Sequence, residues 1–218
     1  MIPWLSEQPD QFPCTDQALT EPNGLLAVGG DLSIERLIAA YQRGIFPWYS
    51  DGEPILWWSP DPRLVLYPAD FKYRRSLAKS WRRRGYHVTV NQAFNQIIAL
   101  CASERSMAGT WIHADMQAAY CRLFKAGYAL SVETWAGSEL VGGLYGVKLG
   151  QVLFGESMVS VATDASKIAL AHLCHQADLY QIQIIDCQMP TAHLASLGAR
   201  LISRSAFLTE VRRWHEPI

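Results

Sequence analysis

The residues best equipped for chemistry lie in two short stretches, Ile184-Ile185-Asp186-Cys187-Gln188 and Phe154-Gly155-Glu156-Ser157-Met158. Both are apolar runs suited to the middle of a sheet, and both carry polar residues that a buried strand does not ordinarily hold. Alternation along a strand puts Asp186 and Gln188 on one face and Cys187 on the other, so a carboxylate and an amide point into the same space. Such a pair can orient a nucleophile, take up a proton or donate to developing charge. A second reading of the same residues has Asp186 capping the helix that begins near Pro190 and Gln188 filling a turn.

The elements that must position these residues follow from periodicity and punctuation. Residues 1–62 are rich in Pro, Gly and Trp, with turn signals at Pro22-Asn23-Gly24 and Gly29-Gly30. One helix interrupts them, capped by Asp31 or Ser33, with Ile34, Leu37, Ile38 and Tyr41 as its apolar face and Gly44 as its end. The aromatics of Phe46-Pro47-Trp48-Tyr49 and Trp57-Trp58 read as a stiff surface, and Pro60 with Pro62 marks a domain boundary near Pro62. Beyond it, Tyr86–Val90 alternates as a strand, and Asn91 caps a helix whose face is Phe94, Ile97, Ile98 and Cys101. A second helix runs from about His113 to Lys125 with Met116, Ala119, Tyr120 and Leu123 inward. Tyr128–Trp135, Leu140–Val147 and Val152–Phe154 form an antiparallel meander. A long helix capped by Asp164 then leads to the strand carrying Asp186, followed by a helix from Pro190 to Leu197, a strand at Arg200–Ser203 and a final helix to Trp214.

With half of its 218 residues apolar and 18% charged, the chain can bury one good core beside a small second domain. Five cysteines, odd in number and never spaced C-x-x-C, argue against a disulfide framework or a structural zinc site and fit a reducing cytoplasm. His172 and His175 lack further ligands at metal-binding spacing, so no metal is expected. The opening Met1-Ile2-Pro3-Trp4 has neither basic region nor hydrophobic signal core, and no apolar run reaches the length of a membrane span. A net charge of −1 conceals a local excess: Lys72, Arg74, Arg75, Lys79, Arg82, Arg83 and Arg84 follow one another without an intervening acid. Such a run neutralises phosphates and suggests a nucleic-acid backbone as partner, contacted without sequence readout.

The order strand, helix, helix, three strands, helix, strand, helix, strand is that of the GNAT acyltransferase fold. Acetyl-CoA enzymes of that fold cradle a pyrophosphate on a glycine-containing loop before the long helix. Here that connection, Ser157 to Lys167, has no glycine, and Asp164 would repel the phosphates. The acyl donor is therefore expected on some other carrier.

Several longer motifs make the resemblance specific. Pro22–Ser33, Gly44-Ile45-Phe46-Pro47-Trp48, Leu56–Arg63, Gly109-Thr110-Trp111-Ile112, Leu140–Gly146, Gly155-Glu156-Ser157-Met158 and Ile185-Asp186-Cys187-Gln188 together resemble the leucyl/phenylalanyl-tRNA–protein transferase family, from about Pro22 to Leu208. The resemblance implies an α/β (α+β) chain: a small N-terminal domain, 1–62, followed by a GNAT-like aminoacyl-transferase domain, 63–218, with a mixed, largely antiparallel sheet. It implies transfer of leucine or phenylalanine, with methionine as a third candidate, from leucyl-tRNA or phenylalanyl-tRNA to the N-terminal Arg or Lys of a protein. That product is a bacterial N-degron. No cofactor is implied, and a cytoplasmic monomer with no membrane contact is expected.

On that resemblance the donor side chain enters an apolar pocket involving Leu144, Met158, Leu170, Leu173 and Ile185, with Tyr120, Leu153, Phe154 and Ser157 also counted among the substrate-binding residues. Plain core is an equal reading of the apolar five. Trp111 and Trp48 are candidates to stack the terminal adenine, and the basic run would meet the acceptor stem. Glu156 and Asp186 offer acceptors to a cationic N-terminal residue. Asp186 is assigned to orient or deprotonate the amine, Gln188 to position it or donate to developing charge, and Glu156 to bind the acceptor. Phe124 and Leu130 stand where the family usually shows histidines, and Leu153 where it shows phenylalanine. Alternation sends Leu153 and Phe154 to opposite faces, which widens the expected pocket floor. Two alternatives remain at this level: an acetyl-CoA-dependent N-acyltransferase of the same fold, and a non-catalytic tRNA-binding module.

Overall fold

A computed structural model describes residues 2–105 and 111–215. Gly109 and Thr110 of the Gly109-Thr110-Trp111-Ile112 motif lie outside the described residues. In chain order the elements are β1 (Leu25–Val28), α1 (Ile34–Tyr41), β2 (Phe46–Pro47), β3 (Leu56–Trp58), β4 (Arg63–Leu66), α2 (Arg75–Arg84), β5 (His87–Val90), α3 (Phe94–Arg105) and α4 (Ala114–Lys125). They continue with β6 (Ala129–Ala136), β7 (Glu139–Leu149), β8 (Val152–Ser160), α5 (Ala165–His175), β9 (Ile184–Gln188), α6 (Ala192–Ser196), β10 (Arg200–Ile202) and α7 (Arg204–His215).

Strands β1, β3 and β2 pair antiparallel in a small sheet near the N-terminus. Its aromatics are not the surface that the sequence suggests. Trp57 is fully buried with its indole N–H donating to the Gly29 carbonyl at 2.8 Å, and Phe46 and Tyr49 are buried with it. All three belong to the same core cluster as Val65, Phe94, Tyr145 and Phe154, so this segment buries its rings against the rest of the chain and not around a core of its own. Trp48 is the exception, at 44% exposure.

The main sheet has the order β10-β4-β9-β8-β7-β6-β5, antiparallel throughout except for the β8–β9 pair. Residues alternate between two buried layers. Val65, Tyr145, Val147, Phe154 and Ile184 face α1, α3, α4 and α7, whereas Leu64, Leu66, Leu144, Leu153 and Ile185 face α5 and α6. Gly142 and Gly143 let helices approach closely: a Cβ on Gly142 would lie 2.6 Å from the Ala165 Cβ, and one on Gly143 would lie 2.8 Å from Cδ1 of Ile97.

Three elements differ from the sequence reading. β4 begins at the expected domain boundary, where no strand was foreseen, and sits inside the sheet between β10 and β9. β8 runs to Ser160 rather than stopping at Phe154, because its polar residues are accommodated by a bulge. The helix expected from Pro190 is confined to Ala192–Ser196, where Thr191 accepts from Leu194 N–H at 3.2 Å. Asp186 caps nothing there. Nor do Asn91 and Asp164 cap their helices. The Asn91 side chain accepts from Ser131 N–H, while the buried Glu133 carboxylate accepts from Ala93 N–H at the start of α3. Asp164 takes a left-handed conformation and pairs with Lys167 at 3.1 Å, leaving Ser160 to accept from Ser166 N–H.

Candidate active site

β8 and β9 pair in parallel only from Val152/Ile184 to Phe154/Asp186. Beyond that point β8 continues beside β7, β9 continues beside β4, and a crevice opens between them. The register then slips on β8. Tyr145 faces Ser157 while Gly146 faces Gly155, so Glu156 is an extra residue, and the alternation downstream of it is inverted. Without that bulge Met158 would turn toward the α3 layer; with it, Met158 packs with Leu144 on the α5 side.

The crevice leads into a cavity of about 190 Å³. Leu144, Leu153, Met158, Leu170, Leu173 and Ile185 form its apolar wall, with Cys187 of β9, Leu194 of α6, and Met189 and Thr191 of the connection between them completing it. A dry apolar cavity of about 150 Å³ is enough to hold benzene, so this one has room for a phenyl ring or an isobutyl group. Glu156, Ser157 and Gln188 stand at its polar mouth. Leu153 lines the cavity and Phe154 does not: Phe154 lies in the opposite layer, its ring 5.0 Å from that of Tyr41. Alternation separates the two, so Phe154, counted above with Leu153 among the substrate-binding residues, is core and not cavity wall.

The mouth is held by a buried hydrogen-bond network drawn from distant parts of the chain. Glu156 accepts from the Tyr41 hydroxyl at 2.7 Å, the Tyr120 hydroxyl at 2.6 Å and the Gln188 amide at 3.2 Å. Tyr120 therefore touches the site through Glu156 rather than through the cavity. A carboxylate offers about four lone-pair sites, and these three donors leave roughly one for a ligand. Burial pushes the Glu156 carboxyl up to about 7 against the lowering effect of the two phenols, with the nearby Asp186 charge adding to the rise.

Asp186 is engaged differently. It is fully buried, and Arg63 binds both its oxygens, Nε to Oδ1 at 2.8 Å and Nη2 to Oδ2 at 2.6 Å. The guanidinium is buried too, lying over the Phe46 and Phe207 rings and donating to the Gly44 carbonyl at 3.0 Å. Asp186 Oδ1 also accepts from Gln188 N–H at 2.8 Å, which holds Gln188 at a φ of 60°. By the same count Asp186, with three donors, also keeps roughly one site, but the bidentate Arg63 pair offsets its charge, so it meets an incoming cation as half of an ion pair and not as the unpaired carboxylate of the sequence reading. Arg63 and Tyr41, with the cavity residues Cys187, Met189, Thr191 and Leu194, are site residues that sequence reasoning missed. A cation directly before the apolar Leu64-Val65-Leu66 was the available signal, since a buried arginine requires an acid.

The remaining candidates lie elsewhere. Trp111 is partly buried against the α3-side core, and exposed Trp48 packs edge-on to Trp58 at 5.5 Å; neither lines the cavity. Lys72, Arg74, Arg75, Lys79, Arg82, Arg83 and Arg84 are all exposed on α2 and the residues leading into it. Leu77 anchors that helix in a cluster with Tyr86, Val141 and Ile168, leaving its cations directed outward. The start of α5, where a pyrophosphate would sit, is satisfied within the chain. Val161 and Ala162 N–H donate to Val141 O, and Ser166 N–H donates to Ser160.

An apolar cavity opening beside a buried, hydrogen-bonded carboxylate holds one group while chemistry proceeds next to it, which is the equipment of a group-transfer enzyme. Comparison with known proteins makes the class particular. A family model described as "Leucyl/phenylalanyl-tRNA protein transferase" matches residues 65–212, and the model of that family's N-terminal domain matches residues 30–61. A leucyl/phenylalanyl-tRNA–protein transferase of Chromobacterium violaceum is 55% identical over 97% of this chain and 91% of its own. One from an Azoarcus species is 56% identical over 98% and 91%. The chain belongs to the leucyl/phenylalanyl-tRNA–protein transferase family and is an aminoacyltransferase. Among solved structures, a GCN5-related N-acetyltransferase from Kribbella flavida covers 76% of this chain and 60% of its own at 11% identity and a TM-score of 0.37, a likeness too slight to bear on function.

Proposed function

We propose that the protein transfers leucine or phenylalanine from aminoacyl-tRNA to the N-terminal Arg or Lys of acceptor proteins. The observation that carries this reading is the junction of a cavity sized for those side chains with the Glu156 network at its mouth. The donor side chain fills the space walled by Leu144, Leu153, Met158, Leu170, Leu173 and Ile185, which brings its ester carbonyl to Glu156 and Gln188. The acceptor amine attacks that carbonyl carbon, a C–N bond forms, and the bond to the 3′ oxygen of the terminal ribose breaks, that oxygen leaving as a hydroxyl with the second proton shed by the attacking nitrogen.

Glu156 takes the proton from the acceptor ammonium. An α-ammonium group titrates at about 7.7–8.0, within about a unit of the Glu156 carboxyl, so the transfer is nearly balanced in energy. Gln188 donates to the developing oxyanion. Asp186 acts at one remove, holding the Gln188 backbone while Arg63 neutralises its charge. Exposed Trp48, with Trp111, offers a face to the terminal adenine, and the cations of α2 take the acceptor-stem phosphates. We assign the domain boundary to the region of Pro62, and expect a monomer working in the cytoplasm. Among the described residues no helix is long and apolar enough to cross a membrane.

The test is transfer of label from leucyl-tRNA and phenylalanyl-tRNA to a peptide beginning with Arg, beside the same peptide beginning with Ala. Label in the Arg peptide alone is expected. Equal labelling of both peptides would remove the acceptor assignment, and labelling of neither would remove the reaction.

A further inference from the structure

We infer that the Ser157 hydroxyl receives the α-ammonium group of the donor amino acid, making Ser157 a donor-binding residue that reads the amine rather than the side chain. This rests on the transferase reading above.

The bulge at Glu156 decides where Ser157 points. In a regular strand Ser157 would follow Gly155 toward the α5 layer; the extra residue instead places Glu156 and Ser157 side by side, with Met158 behind them in the cavity wall. Ser157 is 8% exposed and lines the cavity mouth. Its hydroxyl oxygen is buried and has no hydrogen-bond partner among the described residues. Its neighbour Glu156, by contrast, accepts from Tyr41, Tyr120 and Gln188. A buried hydroxyl left unpaired destabilises the fold that carries it, whereas an alanine there would not. A ligand atom that completes the bond accounts for it.

The choice of ligand atom follows from reach and charge. A side chain seated in the apolar wall leaves only the α-amine and the ester carbonyl of the donor at the mouth. Glu156 and Asp186 carry negative charge there and Arg63 answers only one of them, through the bidentate pair with Asp186. The donor binds before any proton moves, while Glu156 is still the ionised base, and a cation is favoured beside that carboxylate. The hydroxyl therefore accepts from the ammonium, while Gln188 remains the donor to the carbonyl.

The experiment compares wild-type protein and Ser157→Ala on two donors, phenylalanyl-tRNA and phenyllactyl-tRNA, in which a hydroxyl replaces the α-amine. Thermal melting of each free protein is recorded alongside. A hydrogen bond to a charged group corresponds to a loss of about ten- to a hundredfold. The expected result is that fall in kcat/KM with phenylalanyl-tRNA, a change within about twofold with phenyllactyl-tRNA, and a melting temperature no lower than wild type. Equal losses on both donors would overturn the assignment in favour of a carbonyl contact or a structural role, and a lowered melting temperature would point to the latter. Unchanged transfer from both donors would remove Ser157 from the site. No transfer by the wild-type protein would overturn the transferase reading and this inference with it.

Discussion

Replacing Asp186 by Ala removes both acceptors of a fully buried guanidinium and leaves Arg63 with only the Gly44 carbonyl and the faces of Phe46 and Phe207. Breaking a buried pair in this way costs about 3–5 kcal/mol, most of it the penalty of an uncompensated charge. At about 2–4 °C per kcal/mol for a chain of this length, the melting temperature should fall by about 6–20 °C. The double variant Arg63→Met, Asp186→Leu removes both charges and fills the space with apolar groups, so its stability should return to within about 2 kcal/mol of wild type. Thermal or urea unfolding followed by circular dichroism gives all three values. A single-variant cost below about 1 kcal/mol, or a double variant no more stable than Asp186→Ala, would show that Arg63 and Asp186 do not depend on each other as their geometry implies.

The double variant also separates two roles for Asp186. Side chains acting as general acid or base contribute about 10²–10⁴ in rate. If Asp186 only steadies Gln188, transfer by the stable double variant should fall by less than about a hundredfold. A larger loss in a folded double variant would return the proton-accepting role to Asp186.

Glu156, whose carboxyl is raised to about 7, makes stability depend on pH. Between about 4.5 and 7 the folded protein holds a proton that the unfolded chain has released, so stability falls as pH rises, by at most about 3 kcal/mol. Glu156→Gln should flatten that slope in urea melts at pH 5 and pH 8, and an unchanged slope would mean that a group other than Glu156 sets it. Changing Arg82, Arg83 and Arg84 to Ala should weaken tRNA binding and reduce the slope of log K against log salt by about one per lost phosphate contact; a slope equal to wild type would take α2 out of the interface. Leu153→Phe should narrow the cavity and shift preference toward leucyl-tRNA, by about tenfold in the ratio of kcat/KM values. An unaltered ratio would mean that Leu153 does not set the depth reached by the donor.

Much was legible in the linear chain because it depends on local rules. Alternation parted Leu153 from Phe154, though between Asp186 and Gln188 it is broken by a register shift at Cys187; the 3.6-residue period gave the inward faces of α1, α3 and α4; the lysine and arginine run announced an exposed cationic helix. The apolar wall came from the family resemblance and not from local rules: Leu144, Met158, Leu170, Leu173 and Ile185 do line one cavity. What periodicity could not supply was whether that wall enclosed a pocket or merely a core. The answer lay in the parting of β8 from β9 after Phe154 and Asp186, a property of pairing between strands and not of either strand alone.

The same limit explains the partners that were missed. Tyr41 reaches Glu156 across 115 positions and Arg63 reaches Asp186 across 123. Nothing in local propensity links residues so far apart; only burial does, by requiring every phenol, guanidinium and carboxylate in a dry interior to find a counterpart. The sequence by itself thus determined which groups were present and which face of its element each would take. The tertiary structure decided which were neutralised and which were left with a vacant bond, because that depends on the chain segment folded against each one.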